Sequence, residues 1–232
     1  MLYLYTQHAQ NNKNGHALLD GASPKKNTDE VFNPKRSGET IIVLTLLGSI
    51  AYATLRYNVL KGVPWFDWPV YVLNKAFAFS SLLLLGISLF RYRFFPTYSN
   101  AKLMYMAGIT GTIHVLLSLL ILNPTYYEKF FYQGKLTISA GFSMLLGAIA
   151  FGMFVSGKNN HTNNKLQNLI ILALLVGLHA GLQGFLSWFL PHTWPGGLPP
   201  ITLLSSLASL TVITTWINLK KKQHSITKPG IK

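Results

Sequence analysis

The sequence contains no cysteine and few charged residues. Without cysteine the chain cannot form disulfides, iron–sulfur clusters, thiolate zinc sites or a covalently attached c-type haem, and it has no cysteine nucleophile. Only 11% of its 232 residues are charged, whereas soluble domains carry about 25%. This scarcity excludes a soluble enzyme with a polar surface. A hydrophobic fraction of 50% also excludes disorder over most of the chain.

Long hydrophobic runs fill most of the sequence instead. A transmembrane helix needs about 20 mostly apolar residues to cross the hydrocarbon core of a bilayer. Six segments reach that length: Thr40–Leu60, Val70–Phe90, Lys102–Leu122, Thr137–Ser156, Leu166–Leu190 and Pro200–Leu219. The pattern predicts an all-α integral membrane protein, built as a six-transmembrane-helix bundle over residues 40–219. The polar residues 1–39 predict a disordered N-terminal tail, and residues 220–232 predict a basic C-terminal tail.

Lysine and arginine are unevenly divided between the two ends of these helices. Six spans place both termini and the two even-numbered connections on one side, which holds 15 of the 20 basic residues. The other side holds only four, and one more lies inside the second span: Arg56, Lys61, Lys129 and Lys135, then Lys75. By the positive-inside rule, both termini are predicted to be cytoplasmic in the inner cell membrane. The net charge of +14 is then a topology signal that meets membrane lipid, and no nucleic-acid role is expected.

Two histidines, His114 and His179, lie inside the predicted spans, where ionisable residues are rare and commonly functional. Counted from the cytoplasmic ends of their helices, they lie at depths of about 18 and 20 Å. Two histidines at one depth on facing helices are the axial ligands that a b-type haem requires, and the lack of cysteine leaves histidine and methionine as practical ligands. Small residues nearby would leave room for the porphyrin: Gly108, Gly111, Gly177, Gly181 and Gly184.

A haem-free interpretation stays open at this point. An intramembrane histidine often serves only to hydrogen-bond neighbouring helices, and glycine is common in membrane helices because it allows close packing. On that interpretation the protein is a small-molecule carrier or an assembly subunit. Gln183, four residues after His179, could hydrogen-bond an imidazole, but joining helices is the favoured role. Lys75 is a candidate partner for a haem propionate. Arg56 and Lys61 are candidates too, although both also fit interfacial positions. His192 falls in the outer loop, close to where an electron acceptor would bind.

Two segments also resemble a known family. Lys102–His114 (KLMYMAGITGTIH), preceded by Arg91 and Arg93, resembles the third helix of ferric reductase-like transmembrane domains. That family includes the haem-binding membrane subunit of the methionine sulfoxide reductase system. Lys165–His179 (KLQNLIILALLVGLH) resembles its fifth helix. The resemblance covers residues 40–219 and implies b-type haem held between the third and fifth helices, with electrons carried across the membrane.

The sequence departs from that family at the inner haem position. Many members carry two histidines on each of the two helices. This chain instead has Gln167 at the inner position of the fifth helix, and Asn100 and Ala101 at that of the third. The resemblance therefore implies one haem b, ligated by His114 and His179 near the outer leaflet. It implies relay of single electrons to ferric iron, oxygen or an extracytoplasmic redox partner.

No nucleotide-binding motif accompanies the helices. The sequence has neither a Gly-x-Gly-x-x-Gly fingerprint nor a P-loop, and its tails are too short for a flavin or nicotinamide domain. Electrons are therefore expected from a separate flavoprotein reductase or from membrane quinol. On this interpretation the chain acts as the electron-transfer subunit of an oxidoreductase.

Overall fold

The chain is almost entirely helical in the residues that the computed structural model describes, which are 34–94, 101–157 and 165–226. Six long helices are present: α1 Pro34–Thr54, α2 Leu73–Phe94, α3 Ala101–Leu120, α4 Ile138–Gly157, α5 Lys165–Trp188 and α6 Ile201–Ile226. Six helical segments, one for each of these helices, are long and apolar enough to cross a membrane. The predicted six-helix membrane fold is therefore confirmed.

Short helical turns and a two-stranded hairpin connect the long helices at one end of the bundle. The turns are π-helical at Leu55–Leu60 and Trp68–Val72, and 3-10-helical at Trp65–Asp67, Glu128–Phe130, Pro191–Thr193 and Pro195–Gly197. The hairpin pairs β1 (Phe131–Tyr132) with β2 (Lys135–Leu136) in antiparallel fashion. The connections 61–72, 121–137 and 189–200 together form what we call the connection end.

Two helices extend into the segments that were predicted as terminal tails. Because α1 begins at Pro34, residues 34–39 are helical, although they were expected in a disordered tail. Because α6 continues to Ile226, residues 220–226 of the predicted basic tail are helical. Helical hydrogen bonding can continue past an apolar stretch, so a hydrophobicity boundary marks the hydrocarbon edge and not the helix end. The rest of both predicted tails lies outside the described residues.

The second helix lies at the centre of the bundle. Half of its apolar span is buried within the protein, against 17–33% for the other five spans. It packs against α1, α3 and α6, while α5 packs against α4 and α6, and α3 touches α4 only lightly. The contacts from α2 to α6 therefore form a closed cycle, and α1 packs against the α2 side of it.

Apolar side chains fill the half of the bundle that lies away from the connection end. One buried cluster joins five helices: Ile42, Leu84, Leu85, Leu103, Ala107, Ala150 and Leu172. Large apolar side chains on the opposite helix faces are exposed, among them Leu116 and Leu186. Such faces suit contact with lipid, since hydrocarbon offers no hydrogen-bond partner that would favour polar side chains there.

Hydrogen bonds hold the three connections together. Tyr52 near the end of α1 donates through its hydroxyl to the main-chain oxygen of Pro199 at 2.5 Å. Tyr126 donates through its hydroxyl to Oδ1 of Asp67 at 2.8 Å, and this bond to a carboxylate raises the pKa of the Tyr126 phenol. The ends of all six helices are thereby fixed relative to one another at the connection end.

Candidate ligand site at His114 and His179

His114 lies on the inward face of α3, beside α2. Its Nδ1 atom is 2.5 Å from Oδ1 of Asn74 and 3.2 Å from the main-chain oxygen of the same residue. Thr110, one turn earlier on α3, is buried, whereas Leu116 is exposed, so the helix orientation places the imidazole inside the bundle. A carbonyl oxygen can only accept a hydrogen bond. Nδ1 therefore carries the proton, and Nε2 carries the lone pair.

Asn74 is fully buried in α2, and both polar atoms of its side chain are hydrogen-bonded. Its Nδ2 atom donates to Oγ of Ser118 at 3.0 Å and to the hydroxyl of Tyr127 at 3.0 Å, while Oδ1 faces His114. An unbonded amide inside hydrocarbon would cost several kcal/mol, on the order of a lost hydrogen bond per atom. The network satisfies that amide and joins α2, α3 and the connection 121–137.

His179 lies on α5 and faces α4. Its Nδ1 atom is 2.6 Å from the main-chain oxygen of Ser143 and 3.1 Å from the hydroxyl of that residue. Gln183, one turn later on α5, donates through Nε2 to Nε2 of His179 at 2.9 Å and to Oγ of Ser143 at 3.3 Å. The predicted helix-joining role of Gln183 is therefore seen, together with a direct bond to the imidazole. The ring also lies against Gly147, where an added Cβ would be 3.2 Å from Cε1 and Nδ1.

The two histidines share one protonation pattern. Each imidazole donates through Nδ1 to a carbonyl oxygen, so each presents an unprotonated Nε2. The helices that carry them, α3 and α5, do not pack extensively against each other. Two neutral imidazoles that each present an unprotonated Nε2 are the donor set that a haem iron accepts, although Nε2 of His179 accepts a hydrogen bond from Gln183 in this structure.

The glycines near the histidines were predicted to leave room for a porphyrin, but three of them do not. A Cβ on Gly111 would lie 3.0 Å from Oγ of Ser81 on α2, and one on Gly177 would lie 3.0 Å from Cβ of Ser209 on α6. Gly108 faces a phenylalanine ring of α4 at 2.2 Å from such a Cβ. The prediction is wrong at these positions, because the glycines admit side chains of neighbouring helices.

Lys75 extends from α2 into a group of tyrosines. Its Nζ atom lies 4.6 Å from the ring centre of Tyr127, 5.3 Å from that of Tyr71, and 3.5 Å from the Tyr127 hydroxyl. Across the described ranges the one ion pair joins Lys102 to Glu39, so Lys75 has no carboxylate partner there. Contacts with ring faces and a phenol stabilise its charge, and a propionate partner stays a prediction.

Other cations gather near Lys75 at the connection end. Arg56 is 7% exposed and donates through Nη1 to the main-chain oxygen of Leu198. Burial, then the charges of Lys75 and Arg56, hold the pKa of Lys61 below its ordinary value. Partial burial, then repulsion from Lys75 and Lys61, lowers the pKa of Lys129 to about 8. This end of the site is therefore electropositive.

The remaining predicted positions do not face the site. Gln167 and Ala101 are exposed near the starts of α5 and α3, and Asn100 lies outside the described residues. His192 is exposed in the turn Pro191–Thr193. Neither Gln167 nor Ala101 is therefore placed to contribute a ligand at the inner level.

Sequence reasoning overlooked the residues that hold the two imidazoles. Asn74 carries a detectable signal, because an amide inside an apolar span is expensive unless it has a partner. Ser143 carries none, since it contacts His179 mainly through a main-chain oxygen that every residue possesses. No protein-family model and no curated protein matches the chain, so the ferric reductase-like resemblance stays a prediction.

Proposed function

We propose that the protein is a membrane b-type cytochrome in which His114 and His179 are the axial ligands of one haem. The observation that supports this most is their shared protonation pattern. Both imidazoles donate through Nδ1 to a carbonyl and keep the Nε2 lone pair. A hydrogen bond at Nδ1 is the usual outer-shell partner of a metal-bound histidine, because it orients the ring and strengthens Nε2 as a ligand.

The surrounding residues have separate roles in this proposal. Asn74 and Ser143 orient the two imidazoles. Lys75 offers its ammonium group to a propionate, in a place where the described residues supply no carboxylate. The haem, when bound, supplies reversible one-electron chemistry. The chain itself provides the ligands, the charge near them and an environment that excludes water.

The apolar half of the bundle supports a single haem. Leu103 of α3 and Leu172 of α5 are buried in one cluster with Leu84 of α2, at the level where an inner haem would have to lie. Gln167 and Ala101, the residues at the inner ligand positions, are exposed. The proposed haem therefore lies towards the connection end.

We further propose that the connection end is extracytoplasmic and that both termini are cytoplasmic in the inner cell membrane. The 15 basic residues on the terminal side support this orientation. A haem held by His114 and His179 would supply one-electron transfer to ferric iron, oxygen or a redox partner outside. A separate flavoprotein reductase or membrane quinol supplies those electrons, since the chain has no nucleotide-binding motif of its own.

Visible spectroscopy tests the proposal. The full chain is expressed with haem precursor, purified in detergent and measured oxidised and after dithionite. We expect the sharp reduced bands of a six-coordinate b haem, lost in both His114→Ala and His179→Ala. His192→Ala is the matched control, because His192 is exposed in a connection, and it should keep the bands. A colourless wild type, despite supplied haem, would refute the proposal.

A haem-free carrier or assembly subunit is the second candidate. The hydrogen bond from Gln183 to Nε2 of His179 favours it, since that bond occupies the lone pair which a metal would use. In that case both histidines join neighbouring helices, His114 to α2 and His179 to α4. Replacing either would lower stability in detergent while the wild type shows no visible absorption.

A further inference from the structure

We infer that Asn74 is the positioning residue of His114, and that it makes this histidine the tunable one of the pair. The inference rests on the proposed haem function. It starts from a fully buried asparagine in the central helix of the bundle. A buried amide in an apolar span is costly, so its presence points to a role for its hydrogen-bonding atoms that an apolar side chain could not fill.

Asn74 approaches the imidazole of His114 with two acceptors. Its side-chain Oδ1 is 2.5 Å from Nδ1, and its main-chain oxygen is 3.2 Å from the same atom. The main-chain oxygen alone requires Nδ1 to be the donor, whichever way the amide is turned. The shorter bond comes from the side chain, so the side chain sets the orientation of the ring.

The amide of Asn74 is itself held in one orientation. Its Nδ2 atom donates to the Tyr127 hydroxyl and to Oγ of Ser118, both at 3.0 Å. Turning the amide over would place an NH₂ group against the protonated Nδ1 of His114, which would be repulsive. Residues from α3 and from the connection 121–137 therefore fix Oδ1 on the imidazole.

The second histidine lacks this arrangement. Its Nδ1 atom is 2.6 Å from the main-chain oxygen of Ser143, and no substitution removes a main-chain oxygen. A side-chain change can therefore abolish or strengthen the short acceptor at His114 but cannot abolish the one at His179. Ser80→Ala is the matched control for changes at Asn74, because Ser80 is a buried polar residue of the same helix whose hydroxyl donates to the main-chain oxygen of Ala76 at 2.8 Å.

The experiment compares Asn74→Leu, Asn74→Asp and Ser80→Ala with the wild type in detergent. Loss of an outer-shell partner lowers metal affinity about 10–100-fold, so we expect Asn74→Leu to lose haem by at least tenfold in affinity. Asn74→Asp keeps an acceptor and should keep haem. The introduced carboxylate favours the ferric state of a bound haem. We therefore expect the equilibrium between ferric and ferrous haem to shift at least tenfold, which lowers the midpoint potential by about 59 mV. Ser80→Ala should change neither quantity.

Three outcomes decide the inference. Haem affinity and potential that stay at wild-type values in both Asn74 variants would overturn it. If Asn74→Leu does not fold, the midpoint potential of Asn74→Asp decides alone, and an unchanged value overturns the inference. If the wild type binds no haem, the proposed function fails separately. ¹⁵N spectra of histidine-labelled protein, assigned with His114→Ala, then test the positioning role, and a proton found on Nε2 of His114 overturns it.

Discussion

Alanine in place of Gly147 should disturb His179 while the fold persists. An added Cβ would lie 3.2 Å from Cε1 and Nδ1 of the imidazole, closer than the usual carbon contact of about 3.5–4.0 Å. The ring cannot move away freely, because Nδ1 is 2.6 Å from the main-chain oxygen of Ser143 and Nε2 is 2.9 Å from Gln183. At least one of these two hydrogen bonds must lengthen.

The expected changes in stability nearly cancel. Weakening one hydrogen bond removes about 0.5–1.5 kcal/mol from the free energy of unfolding. Alanine in a helix interior is favoured over glycine by about 1 kcal/mol. The net change in unfolding free energy should therefore stay within about 1 kcal/mol. Haem affinity should fall much more, by about tenfold, because the outer-shell bond that orients the ligand is disturbed.

Gly152→Ala on the same helix is the control for Gly147→Ala. A Cβ at Gly152 would meet nothing within 4 Å, so Gly152→Ala should gain the stability that alanine brings to a helix without lowering haem affinity. The assay combines the Soret absorbance per protein with unfolding by heat or denaturant in detergent. Equal, wild-type haem content in both variants would refute the reasoning, since it would show that the position of the His179 ring does not matter for binding.

Three further predictions follow from single contacts. Gln183→Ala should raise haem affinity about two- to twelvefold. The reason is that haem no longer has to displace a hydrogen bond of about 0.5–1.5 kcal/mol at Nε2 of His179. Titration of the apoprotein with haemin measures the change. Lys129 has a folded pKa of about 8 against 10.5 for the free side chain, so the unfolded chain binds more protons between these values. Stability in detergent should therefore rise from pH 8 to 10.5, and Lys129→Met should flatten that rise. Trp68→Phe removes the 2.8 Å bond from Nε1 to Oγ1 of Thr54 and should lower the unfolding free energy by about 1 kcal/mol, measured by thermal unfolding at one pH.

The six helices were predictable because the hydrocarbon imposes a length and an apolar composition on every span. The helix ends were less so. Pro34 and Ile226 lie beyond the apolar stretches, in polar segments. The polarity of a segment does not determine whether its backbone continues the helical hydrogen bonding. Polarity alone also could not show that α2 is the central helix, since that depends on which neighbours cover it.

The site was predictable only in part, for a related reason. The expense of an ionisable group in lipid singled out His114 and His179, and the same rule applied to amides would have found Asn74. A glycine carries no comparable energetic cost, so it does not single itself out as a site residue. Gly111 admits a serine, whereas Gly147 adjoins the imidazole, and helical spacing cannot say which neighbouring helix a small residue faces.

The Nε2 atom of His114 distinguishes the two proposed functions better than its hydrogen-bonded Nδ1 atom does. Bonds at Nδ1 orient the rings in either role, whereas haem ligation additionally needs an unprotonated Nε2 that a ligand can reach. Nε2 of His179 accepts from Gln183, but Nε2 of His114 has no hydrogen-bond partner within residues 34–94, 101–157 and 165–226. His114 is half-buried, and its Nε2 is not one of the buried side-chain atoms left without a partner in the described residues, so this lone pair is accessible to a ligand. A haem iron would use both Nε2 lone pairs, and the hydrogen bond from Gln183 that it would displace is worth only about 0.5–1.5 kcal/mol.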